Sequence, residues 1–199
     1  QMEKAVKRFV SFQIKKGILE ETQQELYEYA YRILLGRTIA VAVLFVIGIG
    51  LHTLFELILF SILFAALRQY AGGFHFSTMD RCIGFSSLVI LMLGVILKND
   101  FSCMGLLVLA VPEILSFLLI WFMSPVDCKN KRLDDLEKLV YRKRVRIVLL
   151  MEIGLLTLSL FLGLEKTSIC VMSSHMVVAI SLGMEFLNSY FFKTKVSKN

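Results

Sequence analysis

The chain has 199 residues, of which 57% are hydrophobic and only 19% charged, and its mean hydropathy is +0.72. That balance excludes a disordered chain, a coiled coil and most soluble domains. Sixteen Phe and only two Pro leave long apolar stretches with few breakers, as in membrane-spanning helices, so the net charge of +6 reports orientation in a bilayer rather than a nucleic-acid footprint.

At the start of the chain, Met2, Val6, Phe9, Val10 and Ile14 recur at helical spacing among Lys4, Lys7, Arg8, Lys15 and Lys16. There is no continuous apolar run of the signal-peptide kind. Residues 1–32 are expected to form an amphipathic segment whose helix lies on an anionic lipid surface; a solvated or partner-binding helix is the alternative. Gly17 is expected to end that helix, and a polar stretch from Glu20 to Tyr31 leads into the membrane.

Apolar stretches follow at about 33–51, 53–67, 83–97, 103–123, 147–164 and 168–192. A span needs about 20 mostly apolar residues. The first two stretches are therefore either one long helix or two short passes turning around Gly48, Gly50 and His52. The charge distribution favours two. With six spans and the amino terminus inside, the inner segments hold 20 of the 22 Lys and Arg, leaving Lys98 and Lys166 outside. A single span over 33–67 would leave 9 inside against 13 outside, against the positive-inside rule. The expected architecture is all-α and polytopic, one membrane domain over 1–199. It comprises a transmembrane bundle of six helices at 33–192 and a cytoplasmic tail at 193–199. The only sizeable connection, Ser124 to Arg146, is basic; its second half, Leu133 to Arg146, has the pattern of a surface helix facing lipid phosphate or an acidic partner.

Unlike functional groups concentrate between spans two and three, in Arg68-Gln69-Tyr70-Ala71-Gly72-Gly73-Phe74-His75-Phe76-Ser77-Thr78-Met79-Asp80-Arg81-Cys82. Gly72 and Gly73 either stop a helix or let the backbone adopt positive φ beside a ligand. His75 and Cys82 form a candidate base and nucleophile, because an imidazole can take a thiol proton and the thiolate is the reactive form. On a straight helix they would share a face yet lie about 10 Å apart, so chemistry between them requires the chain to bend or unwind. An interfacial histidine and a small buried cysteine are the alternative. Arg68 and Arg81 would make the site electropositive, Arg68 being the better placed to bind a peptide carbonyl or carboxylate. Asp80 either orients the imidazole or is simply solvated.

His75, Asp80 and Cys82 do not have zinc-ligand spacing and lack a fourth ligand; neither metal nor cofactor is expected. Cys103 and Cys170 begin apolar spans, and Cys128 sits among charges with no histidine nearby in sequence. His52 and His175 are expected to be packed or hydrogen-bonded. Glu56, Glu113, Glu152 and Glu185 lie in or near spans, where charge is costly. Each is expected either to function or to pair with a buried Lys, Arg or amide. Pro112 should kink span four.

The pattern Arg68-x-x-x-Gly72-Gly73-x-His75 followed by Cys82 resembles the accessory gene regulator protein B (AgrB) family, membrane peptidases of Gram-positive quorum sensing. Ser124-Pro125-Val126-Asp127-x-x-Asn130-Lys131 resembles a second signature of that family, with Arg132 standing where proline is expected. With the order of spans and the amphipathic start, the likeness covers nearly the whole chain. It implies a bacterial cell-membrane cysteine endopeptidase with Cys82 as nucleophile and His75 as general base. Arg68, Gly72 and Gly73 would support or bind substrate, and both termini would be cytoplasmic. The implied substrate is an AgrD-type propeptide, cleaved through an acyl-enzyme thioester and cyclised to a thiolactone or lactone. Anionic lipids are the other expected partner, no nucleic acid is expected, and small residues such as Ser181 and Gly183 make a homodimer a further expectation. A non-enzymatic peptide carrier, or an enzyme acting on lipid headgroups, are the competing functions.

Overall fold

The computed structural model describes residues 2–73, 78–99, 103–126 and 134–196. Among these, the regular structure is helical: α1 (Met2–Lys15), a 3-10 turn (Glu21–Gln23), α2 (Gln24–Leu51), α3 (Leu54–Ala71), α4 (Met79–Lys98), α5 (Cys103–Met123), α6 (Asp135–Phe161) and α7 (Glu165–Val196). Four of these, within α2, α3, α4 and α7, are long and apolar enough to cross a membrane, and α5 contributes a shorter apolar helix over Val108–Met123. The fold is that of an all-α, polytopic membrane protein.

The pair of stretches at 33–67 is two helices. The break falls at His52, whose φ of 58° closes α2. The chain re-enters helix at Leu54, with Thr53 buried beneath the turn. At the other end, α2 starts at Gln24, so the polar stretch that leads into the membrane is the first part of the spanning helix.

A larger departure concerns α6. The surface helix expected over Leu133–Arg146 and the span expected from residue 147 are one continuous helix. Its start is fixed by a capping box, in which Asp134 accepts from Asp135 N–H and Glu137 reaches back to Asp134 N–H. Nothing between Leu139 and Ile153 is a Gly or Pro that would break it, and a polar helix can run into an apolar one without any change in backbone.

Helix α1 is amphipathic, as expected, and Gly17 beyond its end has φ 69°. Its partner is α2: Val6 and Val10 are buried, Phe9 meets Tyr31 edge-to-face at 5.2 Å, Gln13 donates to the Tyr31 hydroxyl at 3.1 Å, and Glu3 pairs with Arg32 at 3.2 Å. Phe9 and Phe12 remain half-exposed, leaving an apolar face as well as the basic one.

Helices α3 and α7 are central, each contributing to all three apolar clusters of the core. One cluster joins them to α2 and α4 through Leu44, Leu57, Phe60, Leu93 and Ile169. Another joins them to α5 and α6 through Leu67, Ile120, Leu149, Val178 and Leu182. The outer faces carry exposed apolar residues on every long helix, among them Val46, Phe55, Met92, Phe122 and Met151. In water such a surface would drive association; in a bilayer it is the lipid-facing side.

Candidate functional site

Helix α3 ends at Ala71 because the next residues leave helical space. Gly72 has φ 74° and ψ −150°, Gly73 has φ 115°, and both are backbone states that essentially only glycine adopts without strain. Arg68, one turn earlier, donates through Nη1 to the Gly72 carbonyl. Gly73 is buried, and both the Arg68 guanidinium and Ser181 of α7 lie against the position a Cβ would take. A Cβ built on Gly73 would lie 2.8 Å from Ser181 Oγ. The guanidinium assigned from sequence to a substrate carbonyl is thus engaged by the chain's own turn.

The turn is also where the two sequence signatures meet. Gly72 and Val126 form an isolated parallel bridge, with Val126 N–H donating to Ala71 O at 3.1 Å. The preceding Ser124 is buried, and its carbonyl accepts from Arg142 Nε of α6 at 3.3 Å. Around the bridge, Tyr70 packs against Tyr141, Arg144 lies over the Tyr70 ring at 5.5 Å, and Arg146 lies over Trp121 at 4.7 Å. These are cation–π distances. The arginines expected to face lipid phosphate or an acidic partner thus also fasten α6 to the ends of α3 and α5.

Cys82 sits in the first turn of α4, its N–H donating to Thr78 O at 3.3 Å, and is partly exposed. Helix α4 begins only at Met79, after an extended Thr78. No straight helix therefore runs from Gly72 to Cys82. His75 lies outside the described residues, as do Asp127, Cys128, Asn130 and Lys131 of the second signature.

A second polar constellation lies deeper in the bundle. His175 of α7 is fully buried between Glu113 of α5, at 2.5 Å from Nδ1, and Glu152 of α6, at 3.0 Å from Nε2. The sequence leaves these glutamates either functional or paired with Lys, Arg or an amide; the partner is an imidazole on a third helix. The spacing within each helix gives no sign of it, because the three residues meet only through the packing of α5, α6 and α7. The same is true of Ser181, Tyr141 and Arg142, whose contacts with the Gly72–Val126 region have no local signature. Glu56, by contrast, lies 4.0 Å from Lys166.

The fold and this site define a polytopic helical membrane protein whose glycine turn is tied to a distant loop, with a partly exposed cysteine in the first turn of the next helix. A family model described as AgrB, accessory gene regulator B, matches residues 6–186, and the chain belongs to that family. Membership places it in the processing of the agr quorum-sensing peptide. A search of curated proteins and a search of solved structures each returned no match.

Proposed function

We propose that this protein is a membrane cysteine endopeptidase that cleaves an AgrD-type propeptide and promotes its cyclisation. The single observation that most supports this reading is the Gly72–Val126 bridge. It draws both family signatures to the end of α3 from which the chain proceeds to Cys82. In the proposed reaction His75 takes the thiol proton of Cys82, and the thiolate attacks the carbonyl at the end of the signal segment. His75 then returns the proton to the leaving amine, leaving an acyl-enzyme thioester. An internal Cys or Ser of the propeptide attacks that thioester, freeing Cys82 and closing a thiolactone or lactone.

Exchange of one thioester for another is nearly neutral in energy, so the ring survives only where water is kept from the acyl-enzyme. A buried Gly73 and an inner rim packed with Tyr70, Tyr141 and Trp121 suit that requirement. Backbone N–H groups near Gly72 and Gly73 are the proposed oxyanion donors. We place six spans across the bacterial cell membrane with both termini inside, on the distribution of Lys and Arg. The Glu56–Lys166 pair then falls at the outer ends of α3 and α7.

The test is cleavage of the propeptide by purified protein in lipid vesicles. Cys82→Ser and His75→Ala should each abolish cleavage while leaving peptide binding largely intact. Unchanged cleavage by either variant would contradict these roles, and peptide binding without any cleavage by the purified wild type would leave the carrier reading in their place. Turnover of lipid without propeptide, indifferent to Cys82, would point to the headgroup enzyme.

A further inference from the structure

We infer that Glu113, His175 and Glu152 form a proton-binding site inside the helix bundle, holding one proton beyond those in their two hydrogen bonds. The cluster stands apart from the proposed peptidase chemistry and does not depend on it. Glu113 is at the middle of α5, and the side chains of Glu113, His175 and Glu152 are 8%, 0% and 5% exposed.

Proton counting carries the inference. Each nitrogen–oxygen contact, at 2.5 and 3.0 Å, needs one proton between its two atoms, whichever atom carries it. Two protons thus fill the two bridges. An imidazole ring stripped of both protons, together with two carboxylates, bears three negative charges, so two protons leave one charge uncompensated. Ser174 Oγ, at 3.4 Å from Glu152 Oε2, supplies a hydroxyl but no charge. Meanwhile Glu113 Oε2 and Glu152 Oε1 are buried with no partner. An isolated charge and orphaned acceptors in an apolar interior are both expensive. A third proton on one of those two oxygens removes the charge.

Among the described residues, no other group in the neighbourhood can do so. On α3, the residues from Leu57 to Leu67 include nothing titratable; Glu56 is at one end with Lys166, and Arg68 is at the other with Gly72. The described side chains of α5 offer only Glu113, and α6 only Glu152 beyond Arg146. On α4 nothing ionisable lies between Cys82 and Lys98. On α7 the groups flanking His175 are Cys170, whose thiol donates to Glu56 O, and Glu185, more than two turns away. The ligand is a proton and not a metal ion, because both ring nitrogens are already committed to carboxylates and neither is free to ligate.

Helix α7 also reaches the glycine turn. Ser181 lies about 9 Å further along α7 from His175 and packs against Gly73.

Infrared spectroscopy of the full chain in lipid vesicles, labelled with carbon-13 glutamate, tests this directly. A protonated carboxyl gives a C=O stretch separate from that of carboxylate, shifting in heavy water. The wild-type protein should show this band at neutral pH, and Glu185→Gln, which removes the other buried glutamate among the described residues, on α7, should keep it. Glu113→Gln and Glu152→Gln should each lose it, because one glutamine leaves an imidazolium and a carboxylate that already balance. Absence of the band in the wild type, its loss in Glu185→Gln, or its survival in both single cluster variants would each overturn the inference. If a cluster variant does not assemble, the wild-type and Glu185→Gln spectra decide alone.

Discussion

Gly72 and Val126 lie far apart in the sequence yet are paired backbone to backbone, with the Val126 N–H donating to the carbonyl of Ala71 just before the turn. The pairing satisfies polar groups that would otherwise be freed where α3 ends, as a buried backbone requires. It also makes the turn a junction of α3, the Ser124–Val126 segment and, through Arg142, α6.

Gly72→Ala tests that junction. A Cβ there would lie 2.5 Å from the Val126 carbonyl oxygen, at a φ of 74° that alanine does not tolerate. The strain alone is worth about 1–3 kcal/mol, and relieving it separates the two segments. The variant should show a lowered Tm in detergent, and propeptide cleavage should fall further than the loss of folded protein explains. Wild-type Tm and cleavage would show that the bridge is incidental.

The described thiols should differ in reactivity. Cys82 is partly exposed in the first turn of α4, whereas Cys170 is fully buried and donates to Glu56 O at 3.3 Å. Brief treatment with a membrane-permeant maleimide, followed by peptide mapping, should find label on Cys82 and none on Cys170. Cleavage should decline in step with the labelling of Cys82. Label on Cys170 before Cys82 would contradict the packing of α3 against α7.

His175→Ala leaves two buried carboxylates facing an empty site. Removing one partner from a buried ionic cluster costs about 3–5 kcal/mol, a large part of the stability of a typical domain. Replacing both glutamates by glutamine in the same chain should restore much of the loss, because no charge then remains in the cluster. Thermal denaturation of the three proteins in one detergent reports this order. A triple variant no more stable than His175→Ala would show that packing volume matters there and charge does not.

Much of the architecture was legible in the sequence because apolar length and basic residues are local quantities. The separate α2 and α3 came from the positions of Lys and Arg, and the helix break at the paired glycines from their backbone freedom. The start of α6 was not legible as one helix with the apolar stretch that follows it, because the pattern changes from polar to apolar at Arg146 while the helical backbone does not. The Glu113–His175–Glu152 contact was out of reach for another reason: it is set by how three helices pack. Arg68 shows the same limit at the site, its type and place being readable but its acceptor, Gly72 O, depending on where the chain turns.

The most direct measurement is intact mass spectrometry of the protein in lipid vesicles, quenched in acid shortly after mixing with a linear propeptide whose internal Cys or Ser is replaced by Ala. Without an internal nucleophile the acyl group should remain on the enzyme. The account predicts a mass increase equal to the amino-terminal fragment, mapped to Cys82 and released by hydroxylamine. Cleavage of the propeptide by the Cys82→Ser protein, or cleavage by the wild type with no adduct on Cys82 at any quench time, would contradict it.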